Sequence, residues 1–226
     1  MDKTDISIET YNHIVDEYEA FSKTVNSIDR VQWQAEMDYI IPLIPNDAKI
    51  LDAATKLGAY PKYLANLPGK HYDIIGLEPA EKLLERAIKN VPGAKFMKMD
   101  LRNIELPENS FDLILCLSAL IHLNDDDCIK TLNSFDRLVK AGGFIVINVP
   151  EHRDDVKEKF FDEPFNPKYK TYFNSYKKEF FADYFKARGG YLPPVIFDNF
   201  LSEQVTVDTM GTEIITNEFT IIAQKA

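Results

Sequence analysis

Cysteine is scarce in this chain, long apolar runs are missing, and basic residues are outnumbered. Of 226 residues two are cysteine, Cys116 in an apolar stretch and Cys128 on an expected helix. Their spacing matches no metal motif, so they read as reduced structural thiols, the ordinary state in the cytoplasm. No run approaches the roughly 18 apolar residues that a membrane span needs. The acidic, polar opening MDKTDISIETY is not a signal peptide. Lysine and arginine number 26 against 36 acidic residues, a net charge of -10. That balance argues against broad binding to nucleic acid or to anionic membranes. No internal repeat, low-complexity tract or clear linker divides the chain. Its length suits a single α/β domain over 1–226, with insertions, better than two domains.

What is present is an alternation. Residues 10 to 21 place Tyr11, Ile14, Val15, Tyr18 and Phe21 on one helical face, and a second helix is expected from Val31 to Ile44. Together these form an N-terminal helical cap over 8–45. Strands are expected at 48–54, 72–78, 94–100, 111–117 and 143–150. Helices are expected at 61–67, with Pro61 in its first turn, at 80–90, and at 125–141, with aspartates at its start and Gly142 beyond its end. Such an order implies right-handed crossovers and a doubly wound, Rossmann-like, mostly parallel sheet. SEQVTVDTMG and NEFTIIAQK read as two further strands joined by a tight turn. They complete a seven-stranded sheet with a C-terminal antiparallel hairpin. Between lies an aromatic-rich insertion, 151–190, with a helix near 176–188.

In an open parallel sheet a ligand binds beyond the carboxyl ends of the strands. Those ends carry Asp52 to Gly58, Glu78-Pro79, Asp100-Leu101 and Leu117-Ser118. Glu78, at the end of the second strand, is placed to accept from both hydroxyls of a ribose. The alternative is a solvated acid at a helix start. Asp100 either accepts from an adenine amino group or caps a loop. The stretch LDAATKLGAYPKYL looks like a glycine-rich ligand loop that has kept only Gly58.

ILDAATKLGAYPKYLA, IIGLEPAEKLLERA, FMKMDLRNIELPENSFDLILCLSALIHL and FDRLVKAGGFIVIN, in that order, resemble a class I S-adenosylmethionine-dependent methyltransferase. The resemblance is greatest to the small-molecule branch and covers roughly residues 8 to 150. It implies S-adenosylmethionine as cofactor and methyl transfer to oxygen or nitrogen of a small molecule. The departure is in the first motif. Asp52 matches the family's acid, but its three glycine positions hold Ala54, Lys56 and Gly58. Ala54 is tolerable if the local dihedrals are ordinary. Lys56 leaves three arrangements open: it points to solvent, it pairs with a carboxylate such as the methionine end or Asp52, or it weakens binding. A non-catalytic binding or regulatory protein, and an enzyme using the same cofactor for other chemistry, are the rival readings.

Methyl transfer needs positioning and exclusion of water more than a fixed catalytic group. His122, just past the fourth strand, is the candidate base, with a packed, backbone-bonded histidine as the alternative. His13, His71 and His152 have weaker claims. No histidine pair has metal-ligand spacing, so no metal is expected. The resemblance brings Tyr11 or Tyr18 to the methionine end; both also fit as core aromatics. Residues 160 to 185 hold 11 of the chain's 27 aromatics. They are expected partly to pack a helix and partly to form a substrate lid, which implies an apolar or aromatic acceptor. A homodimer interface is the alternative use of the same patch.

Overall fold

A computed structural model describes residues 2–23, 36–152, 157–164, 166–207 and 213–226. Seven strands form one sheet in the order β3-β2-β1-β4-β5-β9-β8. They are β1 (Lys49–Ala53), β2 (Asp73–Leu77), β3 (Lys95–Met97), β4 (Phe111–Leu117), β5 (Val139–His152), β8 (Val195–Val207) and β9 (Glu213–Gln224). The first five are parallel, with Leu51 level with Ile75 and with Ile114. β9 runs antiparallel to β5, and β8 antiparallel to β9. Strand order reverses between β1 and β4, which places a crevice at their carboxyl ends.

Alternate residues of these strands feed two apolar layers, because successive side chains of a strand face opposite ways. Leu51, Ile114, Cys116, Ile145 and Ile147 join one core, with Leu132 and Phe135. Ile50, Leu113, Leu115 and Val146 join the other, with Met37, Ile40 and Leu64. A sheet covered on both faces needs such near-continuous apolar strands.

The structure differs from the sequence reading in several places. The first helix is two, α1 (Lys3–His13) and α2 (Val15–Ser22), broken at Ile14, whose φ of -99° and ψ of 14° leave the helical region. α1 starts earlier than expected because Asp2 caps it reciprocally with Asp5. Of the helix expected at Val31–Ile44, residues 31–35 lie outside the described residues; 36–40 are helical and run into a 3-10 turn, Ile41–Leu43. α3 (Ala59–Ala65) and α4 (Glu81–Asn90) follow β1 and β2. α5 (Asp125–Leu138) stops three residues short of the expected end, since Val139 already pairs with Phe111 in the sheet. β8 begins at Val195, ahead of the expected SEQVTV strand, and the expected turn at 208–211 lies outside the described residues.

The largest revision concerns 151–190. It folds as a separate hairpin, β6 (Glu158–Asp162) with β7 (Lys170–Asn174), followed by α6 (Lys178–Arg188). Tyr172, Tyr176, Phe181 and Phe185 are fully buried. Tyr176, Phe181 and Phe185 belong to the main core. Phe165 lies outside the described residues.

Candidate active site

The β1–α3 loop keeps a glycine backbone without the glycines. Ala54, Lys56 and Gly58 all have positive φ: 74°, 51° and 80°. The dihedral at Ala54 is therefore not ordinary, so the condition under which alanine would be tolerable there is not met. Each non-glycine residue in this region costs about 1 kcal/mol or more. Gly58 is required twice over. Besides its φ, a Cβ there would meet Val91 Cγ2 at 3.1 Å. The loop is pinned from the neighbouring strand. Thr55 N–H donates to the Leu77 carbonyl at 2.7 Å, and Lys56 N–H donates to Glu78 Oε2 at 2.9 Å.

Two compartments flank this loop, with Ala54 and Lys56 in the walls of both. The smaller, about 60 Å³, brings together Tyr11, Glu78, Pro79, Asp100, Leu101 and His122. The larger, about 350 Å³, brings together Tyr18, Asp52, Gly58 and Leu117. Twelve of the thirteen expected site residues thus line one or other of these two compartments. Ser118 does not. Its hydroxyl turns to Asn148 Oδ1 at 2.9 Å, with φ at 51°.

Glu78 is 4% exposed, and both its oxygens accept backbone N–H groups, Oε1 from Ala80 at 3.0 Å. Burial pushes its carboxyl up to about 7, against those two bonds and the nearby Lys56 charge. Asp52 is 1% exposed, and its Oδ2 has no hydrogen-bond partner. Burial raises it to about 6, opposed first by the neighbouring Thr55 hydroxyl and then by the Lys56 charge. Asp100 caps the short 3-10 turn Leu101–Asn103 through Arg102 N–H and also holds the Arg102 guanidinium. The capping role expected of it is present, and it still lines the smaller compartment.

His122 is placed at the site, but not as a free base. One ring nitrogen, Nδ1, lies 2.9 Å from the Tyr172 carbonyl, which can only accept. Nδ1 therefore carries the proton and Nε2 the lone pair, directed at the Tyr11 hydroxyl at 3.4 Å. Burial pulls the imidazole down to about 4, so the ring is neutral at physiological pH. Tyr11 in turn packs edge-on against Tyr18, with centroids 5.7 Å apart.

Sequence reasoning missed the wall built by α1. Thr4, Ser7 and Ile8 line the smaller compartment. Thr4 donates to the His122 carbonyl, Ser7 accepts from Tyr172 N–H, and Thr10 donates to the Lys170 carbonyl. Arg102 bridges Asp2, Asp5 and Asp100, tying α1 to the end of β3. The Asp2/Asp5 spacing was the available signal for this helix. Tyr60 and Asn90, on the larger compartment, were missed as well. Among the described residues, no aromatic side chain of 160–185 is in the wall of either compartment.

Residues 50–143 match a family model described as a methyltransferase domain. A demethylmenaquinone methyltransferase from Thermotoga maritima is 28% identical over 137 residues, 61% of this chain and 58% of that protein. A dTDP-4-amino-2,3,4,6-tetradeoxy-D-glucose N,N-dimethyltransferase from Saccharopolyspora spinosa is 30% identical over 121 residues, 51% of this chain and 47% of that protein. The chain thus spans about half the length of these curated relatives. The crystal structure of an S-adenosylmethionine-dependent methyltransferase from Clostridium acetobutylicum superposes with a TM-score of 0.65 at 16% identity, over 92% of this chain and 99% of that one. Residues 50–143 are thus similar to a methyltransferase domain, and the fold of the chain is that of the S-adenosylmethionine-dependent methyltransferases.

Proposed function

We propose that this protein binds S-adenosylmethionine along the β1–α3 loop and transfers its methyl group to an oxygen or nitrogen of a small molecule. One observation carries the reading: Glu78, a buried carboxylate held in place by two backbone N–H groups, forms the wall of the crevice at the sheet's switch point. Each of its oxygens keeps a lone pair for a ribose hydroxyl. The residues present fit the cofactor in a second respect. Asp52 Oδ2, buried and unpartnered in the larger compartment, lacks a donor that the amino group of a methionine end would supply.

The cofactor, when bound, supplies an activated methyl group on a sulfonium. The chain's own residues bind, orient and exclude water. Glu78 holds the ribose side, with Asp100 and Leu101 beside it; Asp52, Gly58 and Tyr18 face the other side. Tyr11 closes the crevice from α1. His122, neutral and fixed by Tyr172, orients the Tyr11 hydroxyl, so we assign it a positioning role in place of the base expected from sequence.

A small-molecule acceptor is supported by the two curated relatives, both named for small molecules. The aromatic segment lends no support to an apolar acceptor, since Tyr176, Phe181 and Phe185 pack the core. Two buried free cysteines accord with a reducing compartment, the cytoplasm. We read the chain as one domain, with α1 and α2 as its cap.

The test is thermal unfolding with S-adenosylmethionine and S-adenosylhomocysteine, followed by a methyl-transfer screen with a methyl-labelled donor against phenols, quinols and amines. Ligand at about 100 times its dissociation constant adds about 2.7 kcal/mol of stability. No shift at millimolar ligand overturns the cofactor assignment. Binding without transfer to any acceptor favours the regulatory reading.

A further inference from the structure

Position 56 carries the least expected residue of the loop, and its charge bears on which form of the cofactor the site prefers. This step rests on the cofactor reading above. Lys56 leaves the loop from a fixed point, with φ at 51° and its N–H bonded to Glu78. It is partly buried and contributes to the walls of both compartments. Among the described residues its ammonium has no hydrogen-bond or ion-pair partner. Its charge is nevertheless felt inside the crevice. It holds down the carboxyls of Asp52 and Glu78 and disfavours protonation of His122.

We propose that Lys56 makes the site discriminate by the charge on sulfur, favouring the neutral thioether S-adenosylhomocysteine over the sulfonium S-adenosylmethionine. The argument is a difference between two ligands. Both carry the same adenosine, ribose diol, amino group and carboxylate, so any contact of Lys56 with the carboxylate serves both alike. They differ by one methyl group and one positive charge. Asp52 and Glu78 attract that charge, and the ammonium of a lysine that lines the same walls cancels part of their field. A like charge several ångströms away in a partly buried site shifts relative affinity on the order of tenfold, equivalent to ~1.4 kcal/mol.

Calorimetric titration of both ligands into the wild type, Lys56→Met and Lys56→Gly tests this. Methionine keeps the side chain's bulk and removes its charge. Glycine removes the side chain and suits the backbone, which guards against a misfolded variant. The ratio of the two dissociation constants is expected to move about tenfold toward S-adenosylmethionine in both variants. A ratio unchanged in both overturns the inference while leaving the cofactor reading intact. Equal weakening of both ligands, with the ratio unchanged, also overturns it and makes Lys56 a holder of the carboxylate. Failure of the wild type to bind either ligand overturns the cofactor reading itself.

Discussion

The two compartments beside Lys56 use their carboxylates in opposite ways. Glu78 in the smaller one is engaged at both oxygens by backbone N–H groups, whereas Asp52 in the larger one leaves Oδ2 unpartnered. Both are almost fully buried, and both are pushed up by burial, Glu78 to about 7 and Asp52 to about 6. The difference separates two ways of preparing a site. Glu78 is pre-oriented, so a ligand meets an acceptor that needs no ordering. Asp52 is buried with an unmet demand, which costs stability until a donor arrives.

Exchanging the two residues' chemistry tests that contrast. Glu78→Ala removes two acceptors of a ligand diol, so affinity for S-adenosylhomocysteine is expected to fall by about a hundredfold or more, the loss of two charge-assisted hydrogen bonds. Calorimetry reads this directly, with circular dichroism confirming the fold.

Asp52→Asn has a divided effect. A carboxyl whose folded pKa lies above its unfolded value binds its proton more tightly in the folded state. Its stabilising effect is full at low pH and is lost as pH rises from the ordinary value toward about 6. Removing the charge is therefore expected to raise the ligand-free stability at pH 8 by roughly 2 kcal/mol and to flatten the decline between about pH 4 and 6. Denaturant unfolding across that range checks both. A destabilised Asp52→Asn protein at pH 8 would break the contrast with Glu78.

Wild-type affinity sharpens it further. If the ionised Glu78 accepts the ribose hydroxyls, protonation near pH 7 competes with binding. Affinity is expected to weaken about tenfold from pH 8 to pH 6, and Glu78→Ala to lose that dependence. Smallest is Ala54→Gly. Relief of a positive φ outweighs the added freedom of the unfolded chain, and thermal unfolding is expected to show a gain of about 0.5–1 kcal/mol.

The sheet was legible because its strands are apolar runs punctuated by turn residues, and Glu78 because it ends one of them. α1 was not, for a physical reason. Thr4, Ser7 and Thr10 are buried on it, each bonded to the backbone of another segment, so no hydrophobic stripe marks the helix. The β6–β7 hairpin was hidden by aromatics that serve a hairpin, a helix and the core alike. The dihedrals of Ala54 and Lys56 are imposed by the pinning of the loop to β2, through Thr55–Leu77 and Lys56–Glu78, which no local pattern reveals. His122 was found by position, while its role depends on the Tyr172 carbonyl, 50 residues away in sequence.

The central claim is that the crevice on both sides of the β1–α3 loop is a cofactor site organised by Glu78. The most direct measurement is a calorimetric titration of S-adenosylhomocysteine into the wild type and into Glu78→Ala at pH 8. One site per chain in the wild type, lost or weakened about a hundredfold in the variant, is the predicted result. No heat at millimolar ligand, or equal affinity in the two proteins, would contradict it.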